Sequence, residues 1–183
     1  PCSENPFRGF RIAGCRLDSV MGKGTSSTVY KGYHLTLDIS VSVKILDRGP
    51  DRLEAVTEDG FLEEARILAK LNHPNIVAVI NAGVENGCHF IVTRYVRGTG
   101  LGKIIRQQSQ PSTDRLIRIF LDACRALRLA HRRSVVHGDV KPDHILITPA
   151  WRAILIDFGL VKGLKEYKAG KVDRRAIGTP LYM

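Results

Sequence analysis

His137-Gly138-Asp139-Val140-Lys141-Pro142-Asp143-His144-Ile145-Leu146-Ile147 is the stretch around which the chain is organised. The apolar pair Val135 and Val136 runs into it, and an apolar strand runs out of it. Between them lie an acid, Asp139, and a base, Lys141, two positions apart in a segment broken by Pro142. Alternate side chains of an extended segment point the same way, so both charges can face one cleft. A carboxylate able to accept a proton beside a cation able to meet a phosphate suits phosphoryl transfer. Standing alone, these residues would be explained better by a solvated Asp/Lys turn.

They do not stand alone. Ten residues after Ile147 comes Asp157-Phe158-Gly159, directly after the apolar run 153–156. An acid at the end of a buried strand, followed by glycine, is a good metal-ligand position. Pro149-Ala150-Trp151-Arg152 reads as the turn joining strands at 145–148 and 153–156. Upstream, residues 101–108 form a short helix candidate. Pro111-Ser112-Thr113 opens a long one, with Leu116, Phe120, Ala123, Leu127 and Ala130 at helical spacing. Its other face carries Arg115, Arg118, Asp122, Arg125 and Arg128, which reads as a solvated surface.

The first half of the chain is richer in strands. Gly22-Lys23-Gly24-Thr25-Ser26-Ser27-Thr28-Val29-Tyr30 lies between strand candidates at 16–21 and 30–34. Its glycines permit conformations in which successive N–H groups turn toward a phosphate, although a simple hairpin would use them too. Residues 39–46 alternate cleanly: Ile39, Val41, Val43 and Ile45 on one face, Ser40, Ser42 and Lys44 on the other. Lys44 is a surface residue or a ligand-facing one. Residues 61–71 read as an amphipathic helix with Phe61, Ala65, Leu68 and Leu71 on its apolar stripe. At about 100° per residue Glu64 falls within that stripe and Glu63 on the far side. A glutamate on a buried face needs a cation, and Lys44 is the natural candidate; at the stripe's edge it would reach solvent instead. Leu71-Asn72-His73-Pro74-Asn75-Ile76-Val77 ends the helix. Strands at 76–84 and 88–96 follow, joined by Glu85-Asn86-Gly87, a hairpin signal.

With 183 residues, 44% of them hydrophobic, the chain can bury a sizeable core in one domain or two lobes. No run approaches the ~18 apolar residues of a membrane span, and no secretory signal opens the chain. Cys2, Cys15, Cys88 and Cys124 are scattered, which suits neither a zinc site nor a disulfide framework and fits a cytoplasmic setting. The net charge of +10 fits too many partners to choose one, and no specific nucleic acid is indicated.

Taken together, these motifs resemble the protein kinases, in order and in register from about residue 14 to 183. The spacing is most similar to bacterial serine/threonine members. The resemblance implies an α+β, protein-kinase-like bilobal fold. Residues 1–13 would be a lead-in. Residues 14–96 would be a small β-rich N-lobe with one regulatory helix, together with the hinge. Residues 97–183 would be the first half of a mainly helical C-lobe, ending before an Ala-Pro-Glu motif. A fragment of that kind is expected to be poorly stable alone.

The resemblance also implies roles. Asp139 would orient the substrate hydroxyl and take its proton, and Lys141 would neutralise the transferring phosphate. Asp157, with His144 where the family has asparagine, would hold magnesium. Gly22, Gly24, Ser27, Val29, Ser42, Lys44, Glu64, Thr93, Arg94, Val96 and Leu146 would bind ATP. Lys44 pairs with Glu64 in that scheme, Thr93 is the gatekeeper and 94–96 the hinge. His137, Phe158, Leu68 and Val79 would stack into a spine. The partner would be a protein substrate. The basic residues between Lys162 and Arg175 hint at acidic surroundings in that target, or are simply solvated.

Beside Ser27, which stands where the family's loop has its third glycine and which the family tolerates, two departures from the family pattern matter. Gly138 stands where many kinases have arginine, and no Ser or Thr lies between Gly159 and Gly178, where Tyr167 is the only hydroxyl. Activity without phosphorylation of that segment is expected. His144 replaces a hard oxygen ligand by an imidazole, so weaker magnesium activity and a relative preference for manganese (Mn2+) are expected. The alternative is a pseudokinase that binds nucleotide without transferring phosphate. A minor alternative is a small-molecule phosphotransferase, which shares His137-Gly138-Asp139 but lacks a lysine at position 141.

Overall fold

The structure, a computed structural model, describes residues 9–24, 27–46, 58–107, 111–158 and 162–163. The chain divides into two compact units, Pro1–Arg66 with Val79–Tyr95 and Ile67–Ala78 with Val96–Met183.

The first unit holds β1 (Arg11–Ile12), β2 (Cys15–Lys23), β3 (Ser27–His34), β4 (Ile39–Leu46), most of α1 (Glu58–Ala69), β5 (Val79–Glu85) and β6 (Cys88–Arg94). The strands form one sheet in the order β1-β2-β3-β4-β6-β5 with antiparallel neighbours. The alternation of β4 decides which face is which. Val41, Val43 and Ile45 are buried with Ile12, Cys15, Leu17, Tyr30, Phe90 and Val92 in the main core. The opposite face carries Lys44, which pairs with Val29 on one side and Ile91 on the other. On that face Ala65 and Leu62 of α1 pack against Leu46, Ile91, Val79 and Ala82. The β5–β6 hairpin turns through Asn86 at φ 50° and Gly87 at φ 74°. Two successive positive φ values are what a tight two-residue hairpin needs, and Asn-Gly adopts them at low cost.

The sequence expectations differ from the structure at both ends of this sheet. Part of the expected lead-in is ordered: β1 pairs with β2, and Ile12 belongs to the core. The strand expected from residue 76 begins at Val79. Ile76 bridges Leu155 in parallel instead, and Val77 N–H donates to the Leu155 carbonyl at 3.0 Å. Apolar content at 76–77 is real, but it serves a different partner.

The second unit holds β7 (Thr99–Gly100), α2 (Leu101–Arg106), α3 (Thr113–Arg132), β8 (Val135–Val136), a 3₁₀ turn (Pro142–His144), β9 (Ile145–Ile147), β10 (Ala153–Leu155) and β11 (Lys162–Gly163). β9 pairs with β10 and with β7, and β8 pairs with β11. The face of α3 that is buried differs from the expected stripe. Ile119, Asp122, Ala123, Ala126 and Ala130 are buried, whereas Leu116 and Phe120 are exposed. A β-rich first unit and a second unit built on helices make the α+β class expected of the resemblance. Among the described residues no helix is long and apolar enough to cross a membrane.

Candidate active site

β8 delivers the chain into the loop at His137, which is buried to 1% exposure. Its ring lies against Phe158, centroids 4.3 Å apart. Nδ1 faces the Asp139 N–H at 3.4 Å, and Nε2 faces the Ile156 carbonyl at 3.2 Å. An N–H can only donate and a carbonyl only accept, so Nδ1 accepts and Nε2 carries the proton. Burial is the main cause that pushes the His137 pKa down, outweighing the Ile156 carbonyl, and the imidazole is neutral. One uncharged ring thus ties the loop backbone to the strand that leads to Asp157. Gly138 follows at φ 79°, in the left-handed region that favours glycine.

Pro142 disfavours a helical residue before it, and Lys141 is extended at φ −146°, ψ 161°. Lys141 Nζ meets Asp139 Oδ2 at 2.8 Å, with both side chains largely buried. The expectation that these two charges face the same way therefore holds. The His144 N–H donates to the Lys141 carbonyl at 2.9 Å and closes the 3₁₀ turn. The Ile156 N–H donates to the His144 carbonyl at 3.0 Å, which pins the turn against the end of β10. His144 then stands between two carboxylates. Its Nδ1 lies 2.8 Å from the Asp139 carbonyl and 3.4 Å from Asp139 Oδ2. Its Nε2 lies 3.5 Å from Asp157 Oδ2. Asp157 is held at φ 57°, in the left-handed region that aspartate enters more readily than most residues other than glycine.

The expected nucleotide residues lie as follows. In the first unit Gly22 pairs with Val29, and the Gly24 N–H donates to the Ser27 carbonyl at 2.8 Å, so the glycine segment is a β2–β3 hairpin. Val29 and Lys44 are paired on one sheet face. Ser42 pairs with Lys31 and Thr93. The Thr93 hydroxyl lies 3.4 Å from the Ser42 carbonyl, and Arg94 ends β6. Glu64 lies in α1, the helix that packs on the Lys44 face, but its side chain is outside the described residues. In the second unit Val96 follows the last strand of the sheet, and Leu146 sits in β9 between Ile154 and Gly100. Leu68 is buried and Val79 half-buried. Gly159 and the expected activation segment lie outside the described residues, apart from β11.

Two supporting residues were not singled out from sequence. Asp122, fully buried on α3, accepts from Arg152 Nε at 2.7 Å, Arg152 Nη2 at 3.0 Å and the Ala153 N–H at 3.2 Å. Burial alone would raise its pKa, but these donors and the charge of Arg125 outweigh it, and the carboxyl titrates below its usual range. Arg115 adds a stacking contact over Trp151 at 4.3 Å. Asn75 donates from Nδ2 to the Ala153 carbonyl at 2.7 Å, and its own carbonyl accepts from Leu155 N–H at 2.8 Å. Both clamp β10, two to four residues before Asp157. The only sequence signal was an acid among arginines and an asparagine inside a helix-ending segment.

The donor set can be tested against magnesium. Asp157 offers a hard carboxylate oxygen, which fits. His144 offers an imidazole nitrogen, which suits transition ions instead. The arrangement thus offers a carboxylate able to accept a proton, an ammonium paired with it and a hard oxygen donor on Asp157.

A family model for the protein kinase domain matches residues 15–183. The serine/threonine-protein kinase pkn3 of Myxococcus xanthus is 32% identical over 176 residues, which is 92% of this chain and 32% of that protein. The serine/threonine-protein kinase PksC of Streptomyces coelicolor is 31% identical over 191 residues, 98% of this chain and 34% of that protein. PknB of Mycolicibacterium smegmatis, also a serine/threonine-protein kinase, is 34% identical over 176 residues, 91% of this chain and 27% of that protein. The chain thus spans about a third or less of the length of these relatives. Matched by that model over residues 15–183, the chain belongs to the protein kinase domain family.

Proposed function

We propose that the chain transfers the γ-phosphoryl group of ATP to Ser or Thr hydroxyls of protein substrates, in a cytoplasmic setting. The observation that carries this is the Asp139–Lys141 pair at 2.8 Å, joined through His144 to Asp157. Asp139 accepts the proton of the substrate hydroxyl. Lys141, held beside it, meets the negative charge of the group in transit. Lys44 and the β2–β3 hairpin receive the phosphates of the nucleotide, and Glu64 is the partner assigned to Lys44 by the resemblance. Val29, Ser42, Thr93, Arg94, Val96 and Leu146 take the adenosine end. Asp157 would hold magnesium, which when bound would supply positive charge against the phosphates. Such catalysis is positioning plus charge stabilisation, so each charge lost costs orders of magnitude.

Transfer from γ-labelled ATP to generic protein substrates tests this, with Asp139→Asn as control. The expected outcome is transfer that falls by roughly 10²-fold or more in Asp139→Asn while ATP binding persists. Transfer of equal rate in the control would overturn the assignment. One observation favours a second reading. His144 stands between the two carboxylates where an amide would be expected, so a pseudokinase would show ATP binding and no transfer.

Phosphorylation of the segment after Gly159 is not needed in this scheme. Gly138 has no side chain to pair with a phosphate, and its φ of 79° resists replacement by one. Phosphatase treatment should leave the rate unchanged. A loss of activity that maps to Tyr167 would contradict this.

A further inference from the structure

The C-terminal end of α3 carries Arg125, Arg128, Arg132 and Arg133, all exposed. The first three are spaced three and four residues apart and share one helix face. Arg133 Nη1 donates to the Lys70 carbonyl at 3.4 Å, which sets the segment 70–73 beside that end of the helix. Lys70 is exposed there. His73, lowered in pKa first by burial, is lowered further by the charges of Arg128 and Arg125 against the pull of Asp122, so these arginines lie close to it. No acid balances the group. The sequence has no Asp or Glu between Asp122 and Asp139, and none between Glu64 and Glu85. Asp122 itself is fully buried, and its Oδ1 lies 3.0 Å from Arg152 Nη2 but 3.4 Å from Arg125 Nη1. A solvated face ordinarily mixes both signs of charge. Attraction to the helix C-terminus accounts for Arg132, in the last turn, but not for Arg125.

We propose that Arg125, Arg128, Arg132, Arg133 and Lys70 form a docking surface for an acidic segment of a partner protein. The planar fork of a guanidinium matches a carboxylate with two hydrogen bonds, and four such forks stand here together. No large hydrophobic side chain is exposed in 70–73 or 122–134, so the surface has nothing to insert into a lipid layer. The same two segments hold no Phe, Tyr or Trp on which a nucleic-acid base could stack. Carboxylates on a protein are the partner that charge alone can hold. None of the five residues has a part in phosphate transfer, and the surface does not rest on that reading.

The test is fluorescence anisotropy of a labelled polyglutamate peptide titrated with the 183-residue chain, without nucleotide and at about 0.15 M salt. Binding is expected, and Arg128→Glu combined with Arg132→Glu should weaken it by about tenfold or more. Arg11→Glu combined with Lys103→Glu changes the net charge equally at exposed positions elsewhere and should leave the affinity unchanged. Equal loss in both double variants would place binding in the net charge and overturn the surface. So would an affinity that neither variant alters, or a peptide that does not bind. A readout on the wild type guards against misfolding of a variant. A photo-crosslinker on the peptide should label 70–73 and 125–133, and labelling confined to the basic residues of 162–175 overturns the surface. Single-stranded DNA or phosphatidylserine vesicles that bind more tightly than the peptide, and through the same arginines, overturn the assignment to an acidic protein.

Discussion

At the scale of single residues, Asp122 shows how a buried charge can organise a site it never touches. A carboxylate with no exposed surface is tolerated only when its oxygens are filled, and Arg152 and the Ala153 N–H fill them. Removing one partner leaves the others buried or unpaired. Arg152 is half exposed and can be rehydrated, so the main loss is the buried Ala153 N–H left unpaired, and Asp122→Ala should destabilise the chain by about 1–3 kcal/mol in urea or thermal unfolding. A loss below about 1 kcal/mol would mean that the Arg152 pairing is incidental. Gly138 is the opposite kind of residue, needed for its backbone and not for a side chain. Its φ of 79° makes Gly138→Ala cost about 1–2 kcal/mol, read by the same unfolding measurement. Asp139, Lys141 and Asp157 were legible as single residues because their chemistry is local to short motifs. Asp122 was not, since its partner lies 30 positions away and a charge on an amphipathic helix reads as solvent-facing.

At the scale of elements, legibility followed the number of partners an element has. β4 was read with its bounds and both faces, because a central strand with one apolar face must alternate. The β5–β6 turn was read because Asn86-Gly87 meets a steric demand that few dipeptides can. α3 was found, but its buried face was misjudged. Of the expected stripe Leu116, Phe120, Ala123, Leu127 and Ala130, the two alanines are buried and Leu116 and Phe120 are exposed, while Ala126 and Asp122 join the packed face instead. Small residues allow close approach to β10, and hydropathy alone undercounts them. The 76–77 segment was misassigned for a related reason: its partner is Leu155, far along the chain. That segment carries its own prediction. Asn75→Ala removes the donor to the Ala153 carbonyl and should cost about 1–3 kcal/mol. If β10 amides keep their hydrogen-exchange protection in Asn75→Ala, the clamp is not what holds that strand.

At the scale of the whole molecule, the two units respond to pH in opposite directions. In the second unit Asp122, His73 and His137 all titrate below their usual ranges. Burial is the main cause for both histidines. For Asp122, burial pushes the other way and its bound donors prevail. Each group holds its proton less readily when folded than when unfolded, so the stability it contributes is present above its unfolded value and lost as pH falls. For the histidines that loss begins as pH drops below about 6.5, and for Asp122 below about 4. In the first unit Cys15 moves the other way, its thiol pushed up to about 11 chiefly by burial and next by Glu85. Its folded form keeps the proton longer than the unfolded chain does, so the stability that Cys15 contributes is lost as pH rises through the usual thiol range toward about 11. The main core of the first unit shares no residue with the Asp122–Arg152–Ala153 network. Acid should therefore open the units unequally. Hydrogen exchange corrected for intrinsic rates, taken at pH 7 and pH 5, should show α3, β9 and β10 losing protection while β3, β4 and β6 retain theirs. His137→Gln removes the largest acid-sensitive burial and should flatten this difference, even if the variant is less stable at pH 7. Uniform loss of protection across both units would show that they open together, and would place the acid response in the net charge of the chain and not in these buried groups.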